Sequence, residues 1–202
     1  IWALTFDAKR NLLHAATGPA ARLYSMDPAL GSAAGAGARL RYDGESGHLL
    51  CLALDSDGSL LVGSDGEARL LRISEDSFTV VRDFEGSEVS ALDVASGRIA
   101  VAVNEFPSPP TAPPDGSKSK SQPKRPKPGK GSAWLIDGEG RALALHQDDS
   151  SQFSAVEVNP RGGLFVGTGH EGRVLQVGEN GSWALLAQID ERQVTDLHLA
   201  DA

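Results

Sequence analysis

Gly167-Thr-Gly-His-Glu-Gly172 spells G-x-G-x-x-G, the spacing with which a strand-to-helix turn cradles a dinucleotide pyrophosphate. That chemistry needs a helix N-terminus behind the glycines. Arg173-Val-Leu-Gln-Val177 reads instead as a strand, so the glycines mark a hairpin turn, as Gly63-Ser-Asp-Gly66 does elsewhere. Asp55-Ser-Asp-Gly58 opens like a calcium loop but lacks the third carboxylate and the distal glutamate, and it also reads as a turn. Asn180-Gly-Ser182 is formally a glycosylation sequon, yet Asn-Gly is the preferred two-residue hairpin connection. The histidines, His14, His48, His146, His170 and His198, show no metal-ligand spacing. Cys51, the only cysteine, excludes an internal disulfide and a cysteine-rich zinc site; between Leu50 and Leu52 it reads as an inert strand thiol. Gly129-Lys-Gly-Ser132 lacks the spacing of a phosphate-binding loop, and no G-x-S-x-G elbow occurs. These residues specify no catalytic, metal-binding or cofactor-binding set.

Charge is the feature with more to say. The net charge of -8 argues against general affinity for nucleic acid, but it is unevenly spread. In residues 107–132, Lys118, Lys120, Lys124, Arg125, Lys127 and Lys130 face a single acid, Asp115, so this stretch is +5 and the remainder is -13. It also holds eight of the eleven prolines, no aromatic residue and only Ala112 as an aliphatic one. Such a stretch has too little apolar surface to offset its ordering entropy and reads as a semi-extended, disordered tether.

The elements that carry these features come from comparing the chain with itself. Ile1-Trp-Ala-Leu-Thr-Phe-Asp7, Leu50-Cys-Leu-Ala-Leu-Asp55, Val89-Ser-Ala-Leu-Asp-Val94 and Phe153-Ser-Ala-Val-Glu-Val158 follow one template, and Val194-Thr-Asp-Leu-His-Leu199 opens a fifth copy. Anchored on Leu4, Leu52, Leu92, Val156 and Leu197, the spacings are 48, 40, 64 and 41; without the 26-residue insertion the third becomes 38. A period near 40 with four short β runs per unit, separated by Gly, Asp and Asn turns, is that of β-propeller blades. Helix is essentially absent from the pattern, and residues 29–38 read as a loose turn. The expected blades are 1–47, 48–87, 88–151 with the insertion 107–132, and 152–191, followed by the first strand of another in 192–202. The inner-strand residues Leu4, Phe6, Leu52, Leu54, Leu92, Val94, Val156, Val158, Leu197 and Leu199 are expected to be largely buried, because blades cover one another on both faces.

These repeats resemble a family of bacterial propeller proteins related loosely to WD40 and NHL-type repeats, with the template I-x-A-L-x-x-D-x-x-G-x-L-x-V-x-T-G-x-x-G-x-V-x-x-I. Phe153–Val177 matches best, and Ile1–Met26 and Leu50–Ile73 nearly as well. The Gly-His and Trp-Asp pairs of standard WD40 blades are missing. Ala15-Ala-Thr-Gly18 resembles part of the repeat of quinone-cofactor propellers, but Leu23 stands where a tryptophan is expected. The resemblance implies a fold and leaves activity open, since propellers host many functions.

Every junction from an outer strand to the next inner strand is acidic: Asp43 and Glu45, Glu85 and Glu88, Asp148 and Asp149, Asp190 and Glu191. Asp65, Glu67 and Glu171 belong to the same face, and the basic insertion leaves from it. The expectation is therefore an all-β propeller of about four four-stranded blades, part of a larger one, acting as a non-enzymatic binding or scaffold module through this face. Its partner would be a protein or small ligand, with the insertion free to meet an acidic partner, a polyanionic surface or the rim itself. The alternative is a lactonase-type hydrolase with a metal in the central channel. No cofactor is expected. No run of 18 apolar residues suggests a transmembrane helix. Beginning inside a repeat, the chain reads as an excerpt, expected to self-associate through uncovered blade faces, and its place is left between the envelope and cytoplasm of a bacterium, with the envelope preferred.

Overall fold

The computed structural model describes residues 1–30, 37–45, 47–75, 77–107 and 129–200. Among them sixteen strands form four antiparallel four-stranded sheets, each ordered as the chain runs. The first blade comprises β1 (Ala3–Asp7), β2 (Leu12–Ala16), β3 (Arg22–Met26) and β4 (Arg39–Asp43). The second comprises β5 (Leu49–Leu54), β6 (Leu60–Ser64), β7 (Arg69–Ile73) and β8 (Phe78–Asp83). The third holds β9 (Glu88–Ala95), β10 (Arg98–Glu105), β11 (Lys130–Ile136) and β12 (Ala142–Asp148), and the fourth β13 (Phe153–Val158), β14 (Leu164–Thr168), β15 (Arg173–Val177) and β16 (Trp183–Gln188). The fold is a β-propeller arc. One 3-10 turn, Pro28–Leu30, is the single helical element among the described residues and stands at the start of the stretch read as a loose turn.

The turns are built by side chains as well as by glycine. Asp7 accepts from the amides of Lys9 and Arg10, Asp137 from those of Glu139 and Arg141, and Asn159 from that of Arg161. Asp55–Gly58 is likewise a hairpin turn: Gly58 has φ +83°, and Arg72 reaches Asp55 at 2.7 Å and Asp57 at 3.4 Å. Gly63 and Gly167 are required by close approach. A Cβ on Gly63 would lie 2.6 Å from Val89 Cγ1, and one on Gly167 would lie 2.7 Å from Val194 Cγ1.

Hydrophobic packing runs between blades. Ala16 and Leu23 meet Leu49, Leu60, Val62, Leu71 and Ile73; Leu61, Leu70 and Phe84 meet Val89, Ile99, Val101 and Val103; Ala100, Ala102, Ala133 and Leu135 meet Val156, Leu164, Val166 and Leu175. Polar bonds tie the inner strands. Ser90 Oγ donates to the Phe153 carbonyl (2.8 Å) and Asp93 accepts from the Val158 amide (2.9 Å). One repeat later Ser154 Oγ donates to the Val194 carbonyl (2.6 Å) and Glu157 accepts from the Leu199 amide (3.2 Å).

Burial of the inner strands departs from expectation. Val156 and Val158 are 5% and 2% exposed, Leu52, Leu54, Leu92, Val94 and Leu197 are half-buried, and Leu4, Phe6 and Leu199 are 56%, 50% and 38% exposed. The cause is neighbourhood. Leu4 and Phe6 alternate with Ala3 and Asp7, which turn toward the second blade, so they occupy the side of β1 that no neighbouring blade covers among the described residues. Segment 194–199 runs beside β13 but forms no ladder among the described residues. The basic stretch is also shorter than its composition suggests: Lys130, Gly131 and Ser132 belong to β11, paired with Glu105, Asn104 and Val103.

Candidate functional site

The acids of the junction face divide into two groups. Asp43 accepts from Arg22 Nε at 2.7 Å, and Asp148 from Arg173 Nη2 at 3.1 Å. Glu88 is half-buried and bonded to Asn104 Nδ2 at 2.9 Å; burial pushes its carboxyl above the ordinary glutamate range, the amide hydrogen bond opposing. Asp65 is held by the backbone N–H and Nδ1 of His48, both at 2.6 Å, and Glu67 and Glu171 by Arg69 and Arg173. Glu45, Glu85, Asp149, Asp190 and Glu191 are exposed, with no ion-pair partner among the described residues. The rim is therefore less negative than a count of its acids implies. Of the six basic residues, Lys130 is on β11 and pairs with Glu105 at 3.2 Å. Lys118, Lys120, Lys124, Arg125 and Lys127 lie outside the described residues.

The arginines follow a pattern that inspection of single motifs misses. Arg22, Arg69 and Arg173 open the third strand of their blades, and the ladders place Asp43, Asp83 and Gln188 directly opposite. In the third blade the ladder puts Ser132 in the arginine position and Gln147 across from it. Trp134 follows on the same face, where the other blades carry Tyr24, Leu71 and Leu175. A short neutral pair replaces the long side chain. Aligning the third strands of the repeat, rather than the inner ones, would have exposed this exception.

A cleft of about 530 Å³ lies at this position, between the second and third blades. Its floor is Trp134, Phe84 and Val103, with Phe84 only 6% exposed and its ring tilted 59° to that of Trp134 at a centroid distance of 5.3 Å. Ser132 accepts from Trp134 Nε1 at 2.9 Å and thereby fixes the indole. The Arg82 guanidinium stands 5.9 Å from the Phe84 centroid and 5.7 Å from that of Trp134. Asp83, Glu85, Glu105, Lys130 and Asp149 complete the mouth. The structure thus brings Glu85, Asp149 and Lys130 to one concavity and leaves the other rim acids apart.

The channel side is a second concavity of about 590 Å³, a groove bordered by all four inner strands and residues 195–198. Of its three acids, Asp93 and Glu157 serve as acceptors for the Val158 and Leu199 amides, and Asp196 accepts from the Leu197 amide. Burial raises the Glu157 carboxyl, with Asp93 and Asp196 adding to the effect and the Leu199 amide and His198 opposing it. Among the described residues no three His, Cys, Asp or Glu side chains gather as a metal-holding group. No described helix is long and apolar enough to cross a membrane.

No family model and no curated protein matches the chain. Propeller-type solved structures do. A putative gluconolactonase aligns over 96% of this chain and 66% of its own, with TM-score 0.62 and 12% identity. A chain of a nidogen/laminin complex aligns over 92% of this chain and 64% of its own, with TM-score 0.59 and 14% identity. The chain thus spans slightly less than two thirds of either, and at these identities the likeness is one of fold.

Proposed function

We propose that the chain is a non-enzymatic binding module that recognises a basic polypeptide segment through the junction face, with the cleft at Ser132 seating one of its cationic side chains. The observation that carries this reading is the replacement of an arginine by Ser132 above an aromatic floor. The vacated position can accept an arginine or lysine side chain from outside, its stem on Trp134 and Val103 and its head near Glu85 and Asp149. Arg82 already lies against the same rings and marks the floor as compatible with a cation. Each exposed ion pair adds only about 0–1 kcal/mol, so affinity rests on the stem and the ring face while charge sets orientation and salt dependence. A channel-metal hydrolase is not favoured, because Asp93 and Glu157 are engaged in holding the next strand.

The test restores the repeat. Ser132→Arg combined with Gln147→Asp rebuilds the pair seen at Arg22–Asp43 and should fill the cleft without unfolding the sheet. Binding of a lysine- and arginine-rich peptide, followed by calorimetry at two salt concentrations, is expected for the parent chain and lost in the double variant. Undiminished binding by a folded double variant would refute the assignment.

A further inference from the structure

The seams hold a second exception to the repeat. The residue beside the ladder partner of the arginine position is Tyr42, Arg82 and His146 in the first three blades, and it reaches toward the next blade. Tyr42 meets the Phe78 ring edge-on at a centroid distance of 5.1 Å, and His146 lies 5.5 Å from the Trp183 ring. Phe78 and Trp183 open β8 and β16, opposite Ile73 and Val177. Opposite Ile136, the same place in the third blade, stands Ala142. No ring meets Arg82 from there. Its guanidinium turns onto Phe84 of its own blade and Trp134 of the next, 5.9 and 5.7 Å from their centroids, at the mouth of the cleft. Arg82 is exposed and forms no ion pair among the described residues. Of the other charges at the mouth, Asp83 reaches Arg69 at 3.5 Å and Glu105 holds Lys130 at 3.2 Å. Glu85, Asp149 and Arg82 are left without an ion-pair partner among the described residues.

We infer that the cleft selects a segment carrying a carboxylate two positions from the seated lysine or arginine, and that Arg82 is the residue that reads it. The inference rests on the cleft binding a cationic side chain and narrows the composition of the segment that brings it. With the stem of that side chain on Trp134 and its head near Glu85 and Asp149, a second cation beside it would meet the Arg82 guanidinium as a like charge. A carboxylate in the same place would complete the pairing. On an extended segment, residues i and i+2 project to one side about 6–7 Å apart. That spacing matches the 5.7 Å between the Trp134 ring and the Arg82 guanidinium, so a cation on the ring brings its i+2 or i−2 neighbour to Arg82. The planar guanidinium can keep one face on the rings while its N–H edge takes a carboxylate in two parallel hydrogen bonds. Selectivity then combines a match for the mixed segment with a clash for a purely basic one.

The probes are four short peptides built on one central lysine in a glycine and alanine background. Two carry a glutamate, two positions before or two positions after the lysine; a third has glutamine in both places and a fourth has lysine in both. Affinities are read at low salt from the NMR shift of the Trp134 indole N–H in the intact chain. One glutamate peptide should bind about two- to fivefold more tightly than the glutamine peptide, and the lysine peptide should bind most weakly. Arg82→Gln should remove the advantage of glutamate over glutamine, and Arg82→Glu should make the lysine peptide the tightest. Equal affinities in the parent chain, tightest binding of the lysine peptide there, or the parent order retained in both variants would overturn the inference and leave the cleft as a cation site. No shift of the Trp134 indole with any of the four peptides at millimolar concentration would remove the cation site and the inference together.

Discussion

Asn104 offers the sharpest test of how the blades are held together. Its side chain is 2% exposed and bridges the third blade to the fourth: Oδ1 accepts from the Phe153 amide at 2.8 Å, and Nδ2 donates to the Phe153 carbonyl at 3.0 Å and to Glu88 at 2.9 Å. In Asn104→Ala the carbonyl keeps Ser90 Oγ as a donor, but the amide is stripped of its side-chain acceptor and Glu88 of its donor. An orphaned buried N–H costs about 1–3 kcal/mol and each lost hydrogen bond about 0.5–1.5 kcal/mol, for a sum near 2–5 kcal/mol. At about 2–4 °C per kcal/mol for a domain of this size, Tm should fall by roughly 4–20 °C. Differential scanning calorimetry measures this directly. Ser90→Ala, which removes one redundant donor to the same carbonyl, should cost about 1 kcal/mol and serves as the scale. A fall below 2 °C for Asn104→Ala would refute the view that this side chain joins the blades.

Two further outcomes follow from titratable groups. Burial raises the Glu88 carboxyl, so the native state holds its proton more tightly than the unfolded chain; stability should fall as pH rises from about 4.5 through the raised value and then level off. Glu88→Gln, which still accepts from Asn104, should therefore raise Tm at pH 7, with the gain vanishing toward pH 4 in melts across that range. Burial pushes the Cys51 thiol up from 9.0 to about 12, which lowers its thiolate fraction about a thousandfold. Native protein should resist a thiol reagent that labels the same cysteine promptly in denaturant, and rapid native labelling would count against its burial.

The inner anchors were legible because they recur: Leu52, Leu92 and Val156 fall in equivalent ladder positions, each opposite a valine. Their burial was not legible, because it belongs to the neighbouring blade. Leu4 has the same residue type and register as Leu52, yet it is exposed where Leu52 is half-buried. The junction acids were legible as a recurring set, but the pairing of some of them was not. Arg22 and Asp43 are 21 residues apart, and only the ladder shows that they meet. The cleft was hidden for a related reason. Gly129-Lys-Gly-Ser132 has the composition of a linker, and its identity as the start of β11 rests on pairing with β10 across the basic insertion.

The uneven cover of the inner strands also gives the arc a grain. Val156 and Val158, enclosed at 5% and 2% exposure, sit at one end, and Leu4 and Phe6, open at 56% and 50%, at the other. In a stack where each unit leans on its neighbours, a group that fills a seam couples the two units that form it. The cleft at Ser132 straddles the seam between the second and third blades, with Arg82 and Phe84 on one side and Trp134 on the other. A side chain wedged there would clamp the seam, so occupancy of the cleft and stiffness of that seam would rise and fall together.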